Sequence, residues 1–473
     1  MEKKNELPEG WAYAFLPDIV KNEKFAIKRG PFGSHLKKEF FVESGYKVYE
    51  QQHAINNDFT LGSYYIDEKK FQELKNFEIK KNDLIISCSG TIGKIAVVPD
   101  NFEKGIINQA LLKISLNSDI ISKTYFSNLF KFWMMQAQIE SHGSSMGNLS
   151  SVTVLKKIPI LLPPINEQKR IVEKIEELFS NLSNIRKNLE QTKLQLKQYK
   201  QSILNYAFEG KLSKQWRVDN HVKTIDEDLE QIDHDCKNSN CKIKTKILLD
   251  VPNNWKCISI GRAVIFLGSG ITPKGGKSVY QNSGIPFIRS QNVYPEGLRV
   301  DNVAYVSKKL HDIMSRTHIH EGDILLNITG ASIGRSCIIP INFGNANVNQ
   351  HVCIIRAHSK INSQFLSYWL NSPKFQELIS SIQQGETRQA LNFEQIRGMP
   401  FPLCSFLEQG EIVKKLDENM LLIANSENTL NFLIQQLDKQ LSTILKRAFE
   451  GKLIPQDPND EPASELLKRI KNQ

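Results

Sequence analysis

Nothing in the 473 residues approaches the roughly 18–20 consecutive apolar residues that cross a bilayer, so a membrane-spanning helix is excluded. The opening MEKKNELPEGW lacks the apolar core of a secretory signal, and a cytoplasmic location is expected. Seven scattered cysteines, an odd number, supply no disulfide framework and read as reduced, mostly buried thiols. Cys236 and Cys241 lie near His234, but their spacing fits no common zinc pattern and the stretch is polar, so no metal site is assigned. Enzyme motifs are missing as well. In GSGITPKGGKS (268–278) a phosphate loop would need glycine where Ile271 stands, and Pro273 interrupts the run of amides. GSSMG (143–147) matches a nucleophile elbow in letters only, since helix-like residues precede it and no helix follows. The GTIGK and GASIGR turns hold too few glycines for a dinucleotide fingerprint. No catalytic residue and no cofactor of the chain's own is therefore expected.

What the chain has is a repeat. AFEGKL stands at 207–212 and again at 448–453, 241 residues on. LPEGW (7–11) answers VPNNW (251–255), and KNDLIISCSGTIGK (81–94) answers EGDILLNITGASIGR (321–335). Asn108-Gln109 answers Asn349-Gln350, and IPILLPPINEQ (158–168) answers MPFPLCSFLEQ (399–409). The spacing drifts between 240 and 244 early in each half and then holds at 241 from Pro159 to Leu212. Loops absorb insertions and regular elements do not, so each half is a loop-bearing globular domain followed by a rigid element.

The rigid element is a helix. From Ile171 a mostly apolar seam steps by four and three through Ile175, Leu178, Leu182, Ile185, Leu189, Thr192, Leu196, Tyr199, Ile203 and Tyr206. The second copy keeps the step at Ile412, Leu416, Asn419, Ile423, Ser426, Leu430, Leu433, Leu437, Gln440 and Ile444, with polar residues interrupting it at 419, 426 and 440. This is an a/d seam of about five heptads, entered after prolines and closed by Gly210 and Gly451. Each helix should run about 42 residues, or about 60 Å. Two equal stripes are most simply satisfied by packing on each other antiparallel, with a globular domain at each end; the alternative is that each serves a separate dimer. The expected organisation is α+β: a first domain (1–165), a first long helix (166–212), a linker (213–250), a second domain (251–406), a second long helix (407–453) and a tail (454–473) with a short amphipathic helix around Leu466, Leu467 and Ile470.

With the PxGW-like starts, the SGTIGK and TGASIGR turns, the LPPINEQ helix entry, AFEGKLSKQWR and the DPNDEPASELL tail, the sequence resembles the specificity subunits of type I restriction-modification systems. The likeness covers nearly the full chain, in the family's order, twice; CSFLEQGEIV departs from it in lacking the paired prolines. The resemblance implies two target-recognition domains, each reading one half of a bipartite site in double-stranded DNA and held apart by the helices. It also implies partners: two methyltransferase subunits, which bind S-adenosylmethionine and methylate adenine N6, and restriction subunits that translocate and cut DNA with ATP and Mg2+. The excess of 61 Lys and Arg over 51 Asp and Glu, a net charge of +10, suits a polyanionic partner.

Cations should hold phosphates while amide, hydroxyl and Arg groups read base edges. The candidates are Lys37, Gln52, His53 and Lys94 in the first domain, and Lys274, Arg289, Gln291, Asn292 and Arg388 in the second. The Asn-Gln pairs, set in apolar sequence, read as structural. Because the loops differ between halves, the site should be asymmetric. Helices of about 60 Å span nearly two duplex turns, and deleting four residues from both should shorten the site by about 6 Å, roughly two base pairs. The competing reading is a coiled-coil scaffold that binds proteins and no DNA, which a steep loss of duplex affinity with salt would exclude.

Overall fold

The computed structural model describes residues 7–32, 35–140, 152–222, 225–235, 241–243, 249–273, 275–383 and 390–471. It forms two compact units, residues 1–189 with 431–473 and residues 190–430. In each, a short apolar run makes an inner strand: LIIS (Leu84–Ser87) in the first, ILLN (Ile324–Asn327) in the second, buried on both faces. Each lies third in a four-stranded antiparallel sheet. The order is Ile27–Arg29, Leu111–Ile114, Leu84–Ser87, Ile95–Val97 in the first unit, and Val264–Ser269, Val352–Ala357, Ile324–Asn327, Ser336–Ile338 in the second.

Alternation along the strand feeds two cores. Leu84 and Ile86 join Tyr125, Phe126 and Phe130 of the helix Lys123–Glu140, while Ile85 faces Tyr49, Val98 and Ile107. Ile324 and Leu326 likewise join Phe365, Trp369 and Phe375, and Leu325 faces Ile288 and Val348. A smaller mixed sheet follows in both units, its parallel pair being Tyr46–Tyr49 with Gly105–Ile107, or Ile285–Ile288 with Asn347–Val348. The duplicated sequence is thus a duplicated fold. One local difference matters below: after the matching turn the first unit has the helix Gln51–Asn56, and the second has a hairpin of Val293–Tyr294 with Gly297–Leu298.

Both long helices have 44 residues, Ile165–Phe208 and Phe406–Phe449, about 66 Å each at 1.5 Å per residue. Their starts are fixed by the buried glutamine of the repeated Glu-Gln. Gln168 donates to the carbonyls of Ile120 and Pro163 and accepts from the Ser122 N–H; Gln409 donates to Lys360 and Cys404 and accepts from Asn362. Their ends are left-handed glycines, Gly210 at φ +66° and Gly451 at φ +68°. A Cβ on Gly210 would lie 2.4 Å from Pro252, and one on Gly451 2.3 Å from Pro8. Each copy of AFEGKL therefore ends against the Pro-x-x-Trp start of the other half.

Within the first unit Ile171 and Ile175 share a core with Leu445 and Phe449, and Arg186 pairs with Asp438. Within the second, Ile203 and Phe208 share a core with Ile412 and Leu416, and the Tyr199 hydroxyl donates to Asn419 at 2.9 Å. In both, the helices run antiparallel. The seam is buried at Ile171, Ile175, Ile203, Ile412, Leu416, Ile423 and Leu430, and half-buried at Leu178, Leu182, Leu189, Leu196, Leu437 and Ile444. Ile185 and Leu433 correct the expectation, at 46% and 41% exposed. A helix pair covers only a narrow stripe, and these two side chains fall outside it.

The stretch 213–250 is more than a linker. Helices Lys214–Asp219 and Asp226–Asp235 form in it, and Ile225 and Ile232 enter the second unit's core; the surrounding charge hid these anchors from a reading of periodicity. The tail helix, Ala463–Lys471, buries Ala463, Leu466 and Leu467 against the first unit. Among the described residues no helix is long and apolar enough to cross a membrane.

Candidate nucleic-acid interface

Two glycines gather the loops. Gly30 and Gly270 follow the first strand of each large sheet at a point where another backbone crosses. A Cβ would lie 1.8 Å from the carbonyl oxygen of Asn108 in one unit and of Val348 in the other, so only glycine fits. The crossing turn is held by a buried asparagine: Asn108 Oδ1 accepts the Ala110 N–H at 3.0 Å, and Asn349 Oδ1 accepts that of His351 at 3.1 Å. The next residue, Gln109 or Gln350, is exposed. The Asn-Gln pair thus divides, its asparagine structural and its glutamine presented.

Two further turns are tied to this one. Asn108 N–H reaches the Tyr49 carbonyl at 2.9 Å, and Asn349 N–H that of Ile288 at 3.0 Å, which brings in the turns 50–53 and 289–292. Cys88 N–H reaches Ala110 at 2.7 Å, and Ile328 N–H reaches His351 at 3.0 Å, which brings in the turns that carry Lys94 and Arg335. Each unit therefore gathers its loops at one edge of its large sheet.

Two sequence candidates are corrected. His53 is wholly buried: Nδ1 accepts the Glu50 N–H at 2.9 Å, and Nε2 donates to the Leu61 carbonyl at 2.7 Å. Asn292 is buried in the same place, its Oδ1 accepting the Arg289 N–H at 3.0 Å and its Nδ2 donating to the Arg299 carbonyl at 2.8 Å. Both stand three residues after a turn's cap and reach back to it, a spacing legible in the sequence as a capping position. Gln291 is exposed, and Gln52 is half-buried with its Nε2 3.1 Å from the Glu50 carboxylate. Lys37 is exposed and 3.5 Å from Glu39, and Lys94 is exposed. Arg289 is half-buried, donates to the Asn302 carbonyl at 3.2 Å and lies over the Tyr280 ring at 5.7 Å. Lys274, Arg388 and the loop 141–148 fall outside the described residues.

The structure adds cations on aromatic rings that single residue types could not reveal. Arg29 lies 5.3 Å from the ring of Phe32, which is 59% exposed, and both line a cleft of about 530 Å³ with Lys28 and His35. In the second unit Arg299 and Arg335 lie 3.7 and 5.0 Å from the ring of Tyr294. The alignment of Arg335 with Lys94 was the available signal for the latter.

The other reactive groups are committed to structure. Burial pushes the Cys337 and Cys353 thiols up to about 12, so they stay protonated. Trp11 Nε1 donates to both oxygens of Glu167 at 3.0 Å, and burial raises that carboxyl above its ordinary value while the Trp11 and Gln456 hydrogen bonds oppose it. Glu408, its counterpart, pairs with Arg217 and accepts from Ser213 at 2.7 Å. Among the described residues no three His, Cys, Asp or Glu side chains are grouped to hold a metal ion. What the loop edges offer is amide donors and acceptors with cations, the inventory that meets phosphates and base edges.

A family model described as the type I restriction modification DNA specificity domain matches residues 8–194 and again 252–435. The EcoBI specificity subunit of Escherichia coli is 27% identical over 414 residues, covering 84% of this chain and 81% of that one. The putative MjaX specificity subunit of Methanocaldococcus jannaschii is 22% identical over 464 residues, 95% of each chain. Among solved structures, a chain from a type I R-M system studied for complex assembly and conformational transition shares the fold with a TM-score of 0.65 at 17% identity, over 95% of this chain and 100% of that one. The HsdS subunit of Thermoanaerobacter tengcongensis aligns with a TM-score of 0.56 at 16% identity, over 96% of this chain and 100% of that one.

Proposed function

This chain belongs to the type I restriction-modification DNA specificity family, and on that footing we propose that it reads an asymmetric, bipartite DNA site through its two domains and directs partner subunits to it. The supporting observation is the pairing of a repeated scaffold with unlike loop edges. Gly30 and Gly270, Asn108 and Asn349, and Gln52 and Gln291 recur, whereas Glu50 is replaced by Arg289, Lys94 by Arg335 and a helix by a hairpin. A frame used twice with different side chains reads two different half-sites. Bond-making falls to the partners: two methyltransferase subunits with S-adenosylmethionine, and restriction subunits with ATP and Mg2+.

The test has two arms. Duplex affinity of the complex with its methyltransferase should fall steeply with salt, as released counterions require. Methylation mapping in cells carrying both subunits should return two unlike half-sites at a fixed separation. A salt-insensitive complex, or methylation without a defined site, would overturn the reading.

A further inference from the structure

We infer that Arg299 and Arg335 form a guanine-reading pair in the second domain, one guanidinium to a base, carried on the ring of Tyr294. The inference rests on the DNA-reading function just proposed and adds the base class and the residues.

Three observations carry it. The first is an uncompensated charge. Arg170, Arg217, Arg262 and Arg356 each pair with a carboxylate, whereas no ion pair or hydrogen bond engages the guanidinium of Arg299 or Arg335 among the described residues. Two cations gathered on one ring without a counter-charge call for an acceptor-rich ligand from outside. The second is rigidity. Buried Asn292 exchanges bonds with Arg299, accepting its N–H at 2.9 Å on the backbone carbonyl and donating from Nδ2 to its carbonyl at 2.8 Å. Buried Asn327 donates its N–H to the Arg335 carbonyl at 2.8 Å and its Nδ2 to Ser290 at 2.8 Å and Ser332 at 3.1 Å. Two asparagines thus fix both arginine backbones and the 289–292 turn as one piece, which lowers the ordering entropy on binding.

The third is the contrast with the first domain. Lys94, equivalent to Arg335, is exposed, and among the described residues of the first domain no ring lies beneath it and no hairpin answers the one that supplies Tyr294. A lysine is a point charge suited to a phosphate. A guanidinium held over a ring, 3.7 Å away for Arg299 and 5.0 Å for Arg335, loses freedom there, and its donor fork matches guanine O6 and N7 in the major groove, which an ammonium point charge does not.

The experiment substitutes R299K, R335K and R335A in the complex with methyltransferase, mapping methylation and measuring duplex affinity across salt, with thermal unfolding as the folding control. Each lysine variant keeps its charge and is expected to relax preference at one G·C pair of the second half-site, a different pair for each, by about 5–150-fold. The first half-site should not change. If either lysine variant keeps the parent motif, or if R335A weakens every sequence alike while lowering the salt slope by about one, the arginines hold phosphates and the inference fails. A parent complex that marks no defined site would instead defeat the DNA-reading function itself.

Discussion

Glu167 and Glu408 occupy equivalent places in the repeat but keep different company, and a single substitution should separate them. Glu408 is wholly buried and Arg217 nearly so, so Glu408→Gln strands a cation and should cost about 3 kcal/mol in chemical unfolding. Glu167→Gln leaves Trp11 an acceptor and should cost less than about 1 kcal/mol. The pH dependence follows from the raised carboxyl of Glu167. Its contribution to stability is complete below the unfolded-state value and is lost as pH rises through the higher folded value, so Glu167→Gln should flatten the first unit's fall in stability between acid and neutral pH. At this scale the sequence was least legible. His53 and Asn292 have the residue types of base readers, yet their position relative to a turn's cap turns them inward; polarity says that a side chain needs a partner, not where the partner lies.

The long helices were the most legible elements, because a seam of period 3.5 survives any choice of surface residues. Their length, start and antiparallel sense agree with the spacing of Ile171, Ile175, Ile412 and Leu416, while the exposure of Ile185 and Leu433 depends on how much surface a partner helix covers. The caps make a second test. Gly210→Ala and Gly451→Ala each force a side chain into the left-handed region and against a proline, and should each cost about 2 kcal/mol or more in thermal unfolding of the unit concerned. Removing seven residues from both helices keeps the seam in phase and shortens each by about 10 Å. Methylation mapping should then show about three fewer base pairs between the half-sites, and an unchanged spacer would rule out the helices as the measure of that distance.

For the whole molecule, the repeat at an offset of 240–244 announced two copies of one fold, and the large sheets bear that out in strand order and direction. The offset did not announce that Ile225 and Ile232 would enter the second unit's core, because two isoleucines in a charged stretch carry no visible period. Nor did it reveal which loops meet at an edge, since Gly30 and Asn108 come together only through the sheet.

The exchange of helix ends also orders events during synthesis. Trp11, Leu84 and Ile171 share their core with Leu445, Phe449 and Leu467, so the earlier-made domain is completed by residues made only after the second domain. At roughly 5–20 residues per second, translating from the first helix to its distant complement takes on the order of 10–50 s. Throughout that interval the nascent domain exposes the apolar surface that Phe449 will cover, and it is then that a chaperone has most to protect.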